Sequence, residues 1–132
     1  PQSITIFDKT IYENIFLDGL IDDERKAIVT KLSNVVNLNI NKNYFINDQQ
    51  RLGVDGSNLS GGQRNKIGII RALANYAPIL ILDEALNGID SDSRERIIKY
   101  IMSDDQLTLI MISHHKPDTD MCKKNIKLPE CY

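Results

Sequence analysis

Leu59-Ser60-Gly61-Gly62-Gln63 and, farther along, Ile79-Leu80-Ile81-Leu82-Asp83-Glu84 are the two stretches that decide the fold. In the first, Ser60 offers an N-cap for a helix whose Ile67, Ile70, Leu73 and Ala74 fall on one apolar stripe; the pattern runs to about Tyr76 and Pro78 stops it. Gly61 and Gly62 let the backbone come close to a ligand. Their amide hydrogens and the helix dipole make an anion site that needs neither lysine nor arginine. The second stretch, four aliphatic residues ending abruptly in two carboxylates, predicts a strand buried on both faces of a parallel sheet. A turn at Asn87-Gly88 follows, and Asp92 with Glu95 offers a capping box for a helix carrying Ile97, Ile98 and Ile101. Leu107 to Ser113 is a second apolar run, ending at His114. Strand, helix and strand with short links form a βαβ unit, so the fold class is α/β with parallel strands.

Upstream, Asp8 to Asn58 is rich in Asn, Asp and Lys. Ile11, Ile15 and Leu17, then Ala27, Ile28, Leu32, Val35 and Val36, predict short amphipathic helices. Gln49 to Asn58, with Gly53, Gly56 and Ser57, reads as a loop, and Asn125 to Leu128 as a further strand. The 132 residues, 42% hydrophobic and 26% charged, match one soluble domain and exclude a disordered tail, a collagen-like fibre or a disulfide miniprotein. Sixteen Lys and Arg against eighteen Asp and Glu leave no general attraction to nucleic acid or anionic lipid. The longest unbroken aliphatic run, Ile79 to Leu82, is far shorter than the roughly 20 residues of a spanning helix, and no signal-peptide pattern is visible. The chain is therefore expected to be soluble. Cys122 and Cys131 have no metal-ligand spacing, suit a reducing compartment and read as spectators.

Ligands of parallel sheets sit beyond the carboxyl ends of the strands, which is where Asp83, Glu84 and His114 fall. Two carboxylates there can divide labour, one holding hydrated Mg²⁺ and the other taking a proton from an attacking water, a help worth about 10² to 10⁴ in rate. Each feature also has a plain explanation: Asp-Glu as a loop start, His114 as a hydrogen-bonded surface residue, Ser-Gly-Gly as a mere helix start. Their occurrence together, in this order, favours phosphate chemistry.

On these residues the chain resembles the C-terminal half of the nucleotide-binding domain of an ATP-binding cassette (ABC) transporter. Leu59 to Gln63 matches the signature, Ile79 to Asp83 the Walker B strand, Glu84 the catalytic glutamate and Asn87-Gly88-Ile89-Asp90 the D-loop. His114 matches the switch histidine and Gln2 the Q-loop glutamine. Phe7-Asp8-Lys9-Thr10-Ile11-Tyr12-Glu13-Asn14-Ile15 is similar to the exporter segment T-I-x-E-N-I that follows the Q-loop and meets the coupling helices of the membrane domain. The resemblance implies a partial P-loop NTPase (RecA-like) sheet core plus the ABC helical subdomain, with residues 1–76 in the helical subdomain and 77–132 in the core. It implies ATP and Mg²⁺: Asp83 binding the metal through water, Glu84 polarising the attacking water, His114 contacting the γ-phosphate and Gln2 reaching metal and water. Leu59, Ser60, Gly61, Gly62 and Gln63 would form the signature that grips the γ-phosphate of a nucleotide held by the partner, with Asp90 acting across the same interface. The implied partners are a second nucleotide-binding domain, head to tail, and the transmembrane domain of an exporter at the cytoplasmic face of the cell membrane. No nucleic acid partner is expected.

Three positions depart from the family pattern: Ala85 where proline is frequent, Asn87 where the D-loop usually has serine, and Val54 where exporters often have glutamate before the signature. No Gly-x-x-x-x-Gly-Lys-Ser/Thr occurs in the 132 residues. The chain is accordingly expected to be a piece of a longer polypeptide, to hydrolyse negligible ATP alone and to self-associate through a bared sheet edge. The leading reading is an exporter-type ATPase, with a peptide or bacteriocin cargo implied by the exporter resemblance alone. An ABC ATPase of DNA repair or chromosome maintenance is a rival, disfavoured because only a compact segment separates Gln2 from Ser60 where those proteins carry a coiled coil or large insertion. The other alternative is a non-catalytic dimerisation or binding module, against which Glu84 and His114 argue.

Overall fold

Apolar residues at helical spacing and two unbroken apolar runs produce, among the described residues, four α-helices and a two-stranded sheet. The computed structural model describes residues 4–38, 50–113 and 126. The elements are α1 (Ile11–Ile15), α2 (Asp23–Val35), a 3-10 turn (Val54–Gly56), α3 (Gly61–Ala74), β1 (Ile79–Asp83), α4 (Ser91–Met102) and β2 (Thr108–Ile112). β1 and β2 pair in parallel, from Ile79 opposite Thr108 to Asp83 opposite Ile112, with α4 as the crossover. The α/β class and the βαβ unit are as the sequence predicts.

One continuous core draws Ile11 and Ile15 from α1, Val29 and Leu32 from α2, Ile67 and Ile70 from α3, Leu80 and Leu82 from β1, and Ile97, Ile98 and Ile101 from α4. The expected two-sided burial of β1 does not hold. Leu80 and Leu82 point inward, while Ile79 and Ile81 are 56% and 62% exposed, because successive strand residues face opposite ways and the described residues cover only one face. Within α2 the buried stripe is Val29 and Leu32, continued by Val36 at the C-cap. The expected Ala27 is exposed, Ile28 and Val35 are half-buried, and Leu17 lies exposed beyond α1. α3 ends at Ala74, two residues before the expected Tyr76, because the Asn75 side chain caps it by donating to the Arg71 carbonyl (2.8 Å).

The start of α4 also differs from expectation. Asp90, not Asp92, is the N-cap: its backbone is extended and its carboxylate accepts from the Ser93 amide at 2.9 Å. Asp92 and Glu95 instead form ion pairs one turn on, with Arg96 and Lys99. Two carboxylates compete for the cap, and the one preceding the first helical residue wins.

α1 is only five residues long and is held by side chains rather than by its own ladder. Thr10 and Glu13 form a reciprocal capping box, whose hydrogen bonds lower the pKa of Glu13. Asn14 is fully buried. Its Oδ1 accepts from the Phe7 amide (2.8 Å), and its Nδ2 donates to the carbonyls of Phe7 and Thr10 (both 3.0 Å). Its own carbonyl accepts from Arg71 Nε (2.6 Å), which ties α1 to α3. The expected helix is thus also a side-chain knot, and burial lowers the Arg71 pKa.

Gln2, His114, Cys122 and Cys131 lie outside the described residues, as does the expected strand at Asn125 to Leu128 except for Ile126, which is exposed. Ile70→Ala, at a fully buried site, is expected to lower the unfolding free energy by about 2–5 kcal/mol. Asn14→Ala is expected to cost about 1–3 kcal/mol by orphaning the Phe7 amide, both losses being read from urea unfolding.

Candidate functional site

Ser60 and Gln63 open α3 with a second reciprocal capping box. The Ser60 hydroxyl accepts from the Gln63 amide (3.2 Å), and Gln63 Oε1 accepts from the Ser60 amide (2.8 Å). The capping leaves two backbone donors over. Among the described residues the amides of Gly61 and Gly62 have no hydrogen-bond partner, and a Cβ built at Gly61 meets only Arg64 Nη2, at 3.9 Å. Two open N–H groups at the positive end of a helix fit a phosphate oxygen. Leu59, by contrast, is buried in the core. With its carbonyl held by Arg64 Nη1 (3.0 Å), its part is to anchor the loop rather than to touch a ligand.

Asp83 ends β1 and is exposed, and Glu84 follows at half burial. Glu84 has φ +48°, a left-handed conformation that costs a side-chain-bearing residue energy and is typical of functional turns. Its amide donates to the Ile112 carbonyl (3.0 Å), and its Oε2 accepts from Asn87 Nδ2 (3.2 Å). Among the described residues no three His, Cys, Asp or Glu side chains cluster. A single carboxylate beside phosphate oxygens and water suits Mg²⁺, which keeps much of its hydration.

The turn after β1 is docked on α3. Asn65 Nδ2 donates to the Asn87 carbonyl (2.6 Å), and a Cβ at Gly62 would stand 2.9 Å from the Gly88 carbonyl, so only glycine admits this approach. Lys66, 9% exposed, donates to Asp90 Oδ2 (3.1 Å), Ser93 Oγ (3.0 Å) and the Asn37 carbonyl (3.3 Å). The Ser93 amide and hydroxyl, and then Lys66, hold the Asp90 carboxyl far below the usual range. The segments that resemble signature and D-loop are therefore one packed unit. Asn65 and Lys66 were missed in the sequence; the only signal was their i+3 and i+4 spacing from Gly62, which puts all three on one helix face.

The family model described as ABC transporter matches residues 1–87, and the chain belongs to that family. It is 32% identical over 130 residues to the transport/processing ATP-binding protein ComA of Streptococcus pneumoniae, a match covering 98% of this chain and 18% of that protein. It is 35% identical over 127 residues to the ATP-dependent lipid A-core flippase of Francisella novicida, covering 86% and 19%. A solved bacterial Atm1-family ABC exporter with ATP bound superposes with a TM-score of 0.75 at 26% identity, covering 90% of this chain and 21% of that one. The chain thus spans about a fifth of the length of these relatives. Among the described residues no helix is long and apolar enough to cross a membrane.

Because the folded Asp90 carboxyl lies below its ordinary value of 3.8, its stabilisation is complete above that value and is lost as pH falls through the folded one. Asp90→Asn keeps a capping side chain but leaves Lys66 without its counter-charge. It is expected to be less stable than wild type at neutral pH, with the gap closing in acid, in thermal melts from about pH 2 to about pH 7.

Proposed function

We propose that this chain is the signature-bearing part of the ATP-binding and ATP-hydrolysing domain of an ABC exporter, which energises movement of a substrate across a membrane. The observation that carries this reading is the pair of open amides at Gly61 and Gly62, packed through Gly62 against the very turn that begins at Glu84. Residues 1–76 would form the helical subdomain and 77–132 part of the RecA-like core. The relatives' exporter and flippase names and the ATP-bound neighbour support the reading.

In the proposed reaction a second nucleotide-binding domain packs head to tail, and Ser60 to Gln63 serve the triphosphate held mainly by that partner. Gly61 and Gly62 donate to the γ-phosphate, while the capping box keeps their N–H groups pointed outward. Asp83 would hold Mg²⁺ through water, and the bound metal supplies neutralisation of charge on the phosphate oxygens. Glu84 accepts the proton of the attacking water in line with the γ-phosphate. Gln2 and His114 take the metal-sensing and γ-phosphate roles of the family by position in the sequence. Asp90 fixes the D-loop at the start of α4, within the domain pair. The exporter's transmembrane domain is the second proposed partner, which puts the working site at the cytoplasmic face of the membrane. None of these residues reads cargo, so the reading extends to export and no further.

In the full-length polypeptide, Glu84→Gln is expected to lower steady-state ATP hydrolysis at least about 100-fold while MgATP binding persists; an unaffected rate refutes the assignment. The 132-residue chain alone, lacking a phosphate-loop motif, is expected to show no stoichiometric binding of MgATP by calorimetry.

A further inference from the structure

α3 meets the turn after β1 through one face, Gly62, Asn65 and Lys66, and the turn in its third residue after Asp83 carries Leu86, whose buried side chain fixes it to the core. Lys66 is the buried charge of this contact. Its three ammonium donors find three acceptors, on Asp90, Ser93 and Asn37, so the ammonium fixes both the far end of the turn and the end of α2 relative to α3. Within this frame sits Asn87, at a position where the D-loop usually has serine. Its amide nitrogen donates to the Glu84 carbonyl (3.0 Å), its side-chain Nδ2 donates to Glu84 Oε2 (3.2 Å), and its carbonyl accepts from Asn65 Nδ2 (2.6 Å).

We propose that Asn87 is a positioning residue for Glu84: held by Asn65 of the signature helix, it orients the glutamate carboxylate through its side-chain amide. Resting on the ATPase reading above, this gives the known type of chemistry an added determinant. Serine ends one atom sooner than asparagine and brings a shorter hydroxyl in place of the amide nitrogen toward the carboxylate three residues back. Glu84 is the residue that needs such a guide, because its left-handed backbone aims the side chain away from the direction an extended strand end would give it. In a head-to-tail pair, the signature helix of one chain and its own glutamate serve different nucleotides. The Asn65 to Asn87 to Glu84 chain therefore ties the helix start at one ATP to the base at the other.

The test is steady-state MgATP hydrolysis by the full-length polypeptide. Asn87→Ala and Asn87→Ser are expected to lower kcat about 10-fold with KM for MgATP within about twofold, because the base is misaimed and the nucleotide grip is untouched. Asn65→Ala is expected to lower kcat in the same direction. In a Glu84→Gln background Asn87→Ala is expected to add nothing, since the group it positions is no longer a base. Unchanged kcat in both Asn87 variants, a KM that rises in step with the lost kcat, or a full further loss in the Glu84→Gln background overturns the assignment. If Asn87→Ala fails to fold, Asn87→Ser decides alone. A wild-type protein that hydrolyses no MgATP overturns the ATPase reading and this proposal together, whereas an active wild type with undiminished kcat in both Asn87 variants overturns only the proposal.

Discussion

A buried ammonium is the constraint on which the site is built. Lys66 is 9% exposed, and an unpaired charge at that depth costs several kcal/mol, so its three acceptors must stay where they are. One of them is the N-cap carboxylate of α4, another a hydroxyl in that helix's first turn, and the third a backbone carbonyl just past α2. Three segments separated in sequence are thereby fixed at one atom. The turn between β1 and α4 has little freedom left, and it is this turn that begins with Glu84.

The same economy governs the helix start above it. Ser60 and Gln63 satisfy each other, which removes the competition of their side chains for the first-turn amides and leaves Gly61 and Gly62 open. Glycine is needed at 62 for a reason separate from ligand binding, the approach of the Gly88 carbonyl. One residue thus serves both packing and proposed chemistry. The strain at Glu84 is borne by its hydrogen bonds to Ile112 and Asn87, the pattern expected where backbone distortion aims a side chain.

Local signals in the chain were strong where local physics decides. The stripe of α3, the apolar runs of β1 and β2 and the helix between them follow from periodicity, and Ser60 as N-cap from its side-chain chemistry. Reading weakened where neighbours compete. Asp90 and Asp92 are both good caps, and only the backbone geometry of the turn selects the first. The aliphatic run of β1 has no polar residue to show which face is covered, so Ile79 and Ile81 looked as buried as Leu80 and Leu82. The buried role of Asn14 has no signal in the sequence, since its backbone partners lie in an irregular segment that has no sequence signature.

By itself the sequence determined the α/β class, the order of the elements, the family and the residue types available for phosphate and metal, because these depend on spacing along one chain and on side-chain chemistry. Tertiary structure alone decided that the face of α3 bearing Gly62, Asn65 and Lys66 seats the turn bearing Asn87 and Asp90, and that Glu84 lies at its head. Contacts between residues more than twenty positions apart depend on how helices and strands pack, and no periodicity within either segment encodes the partner it will meet.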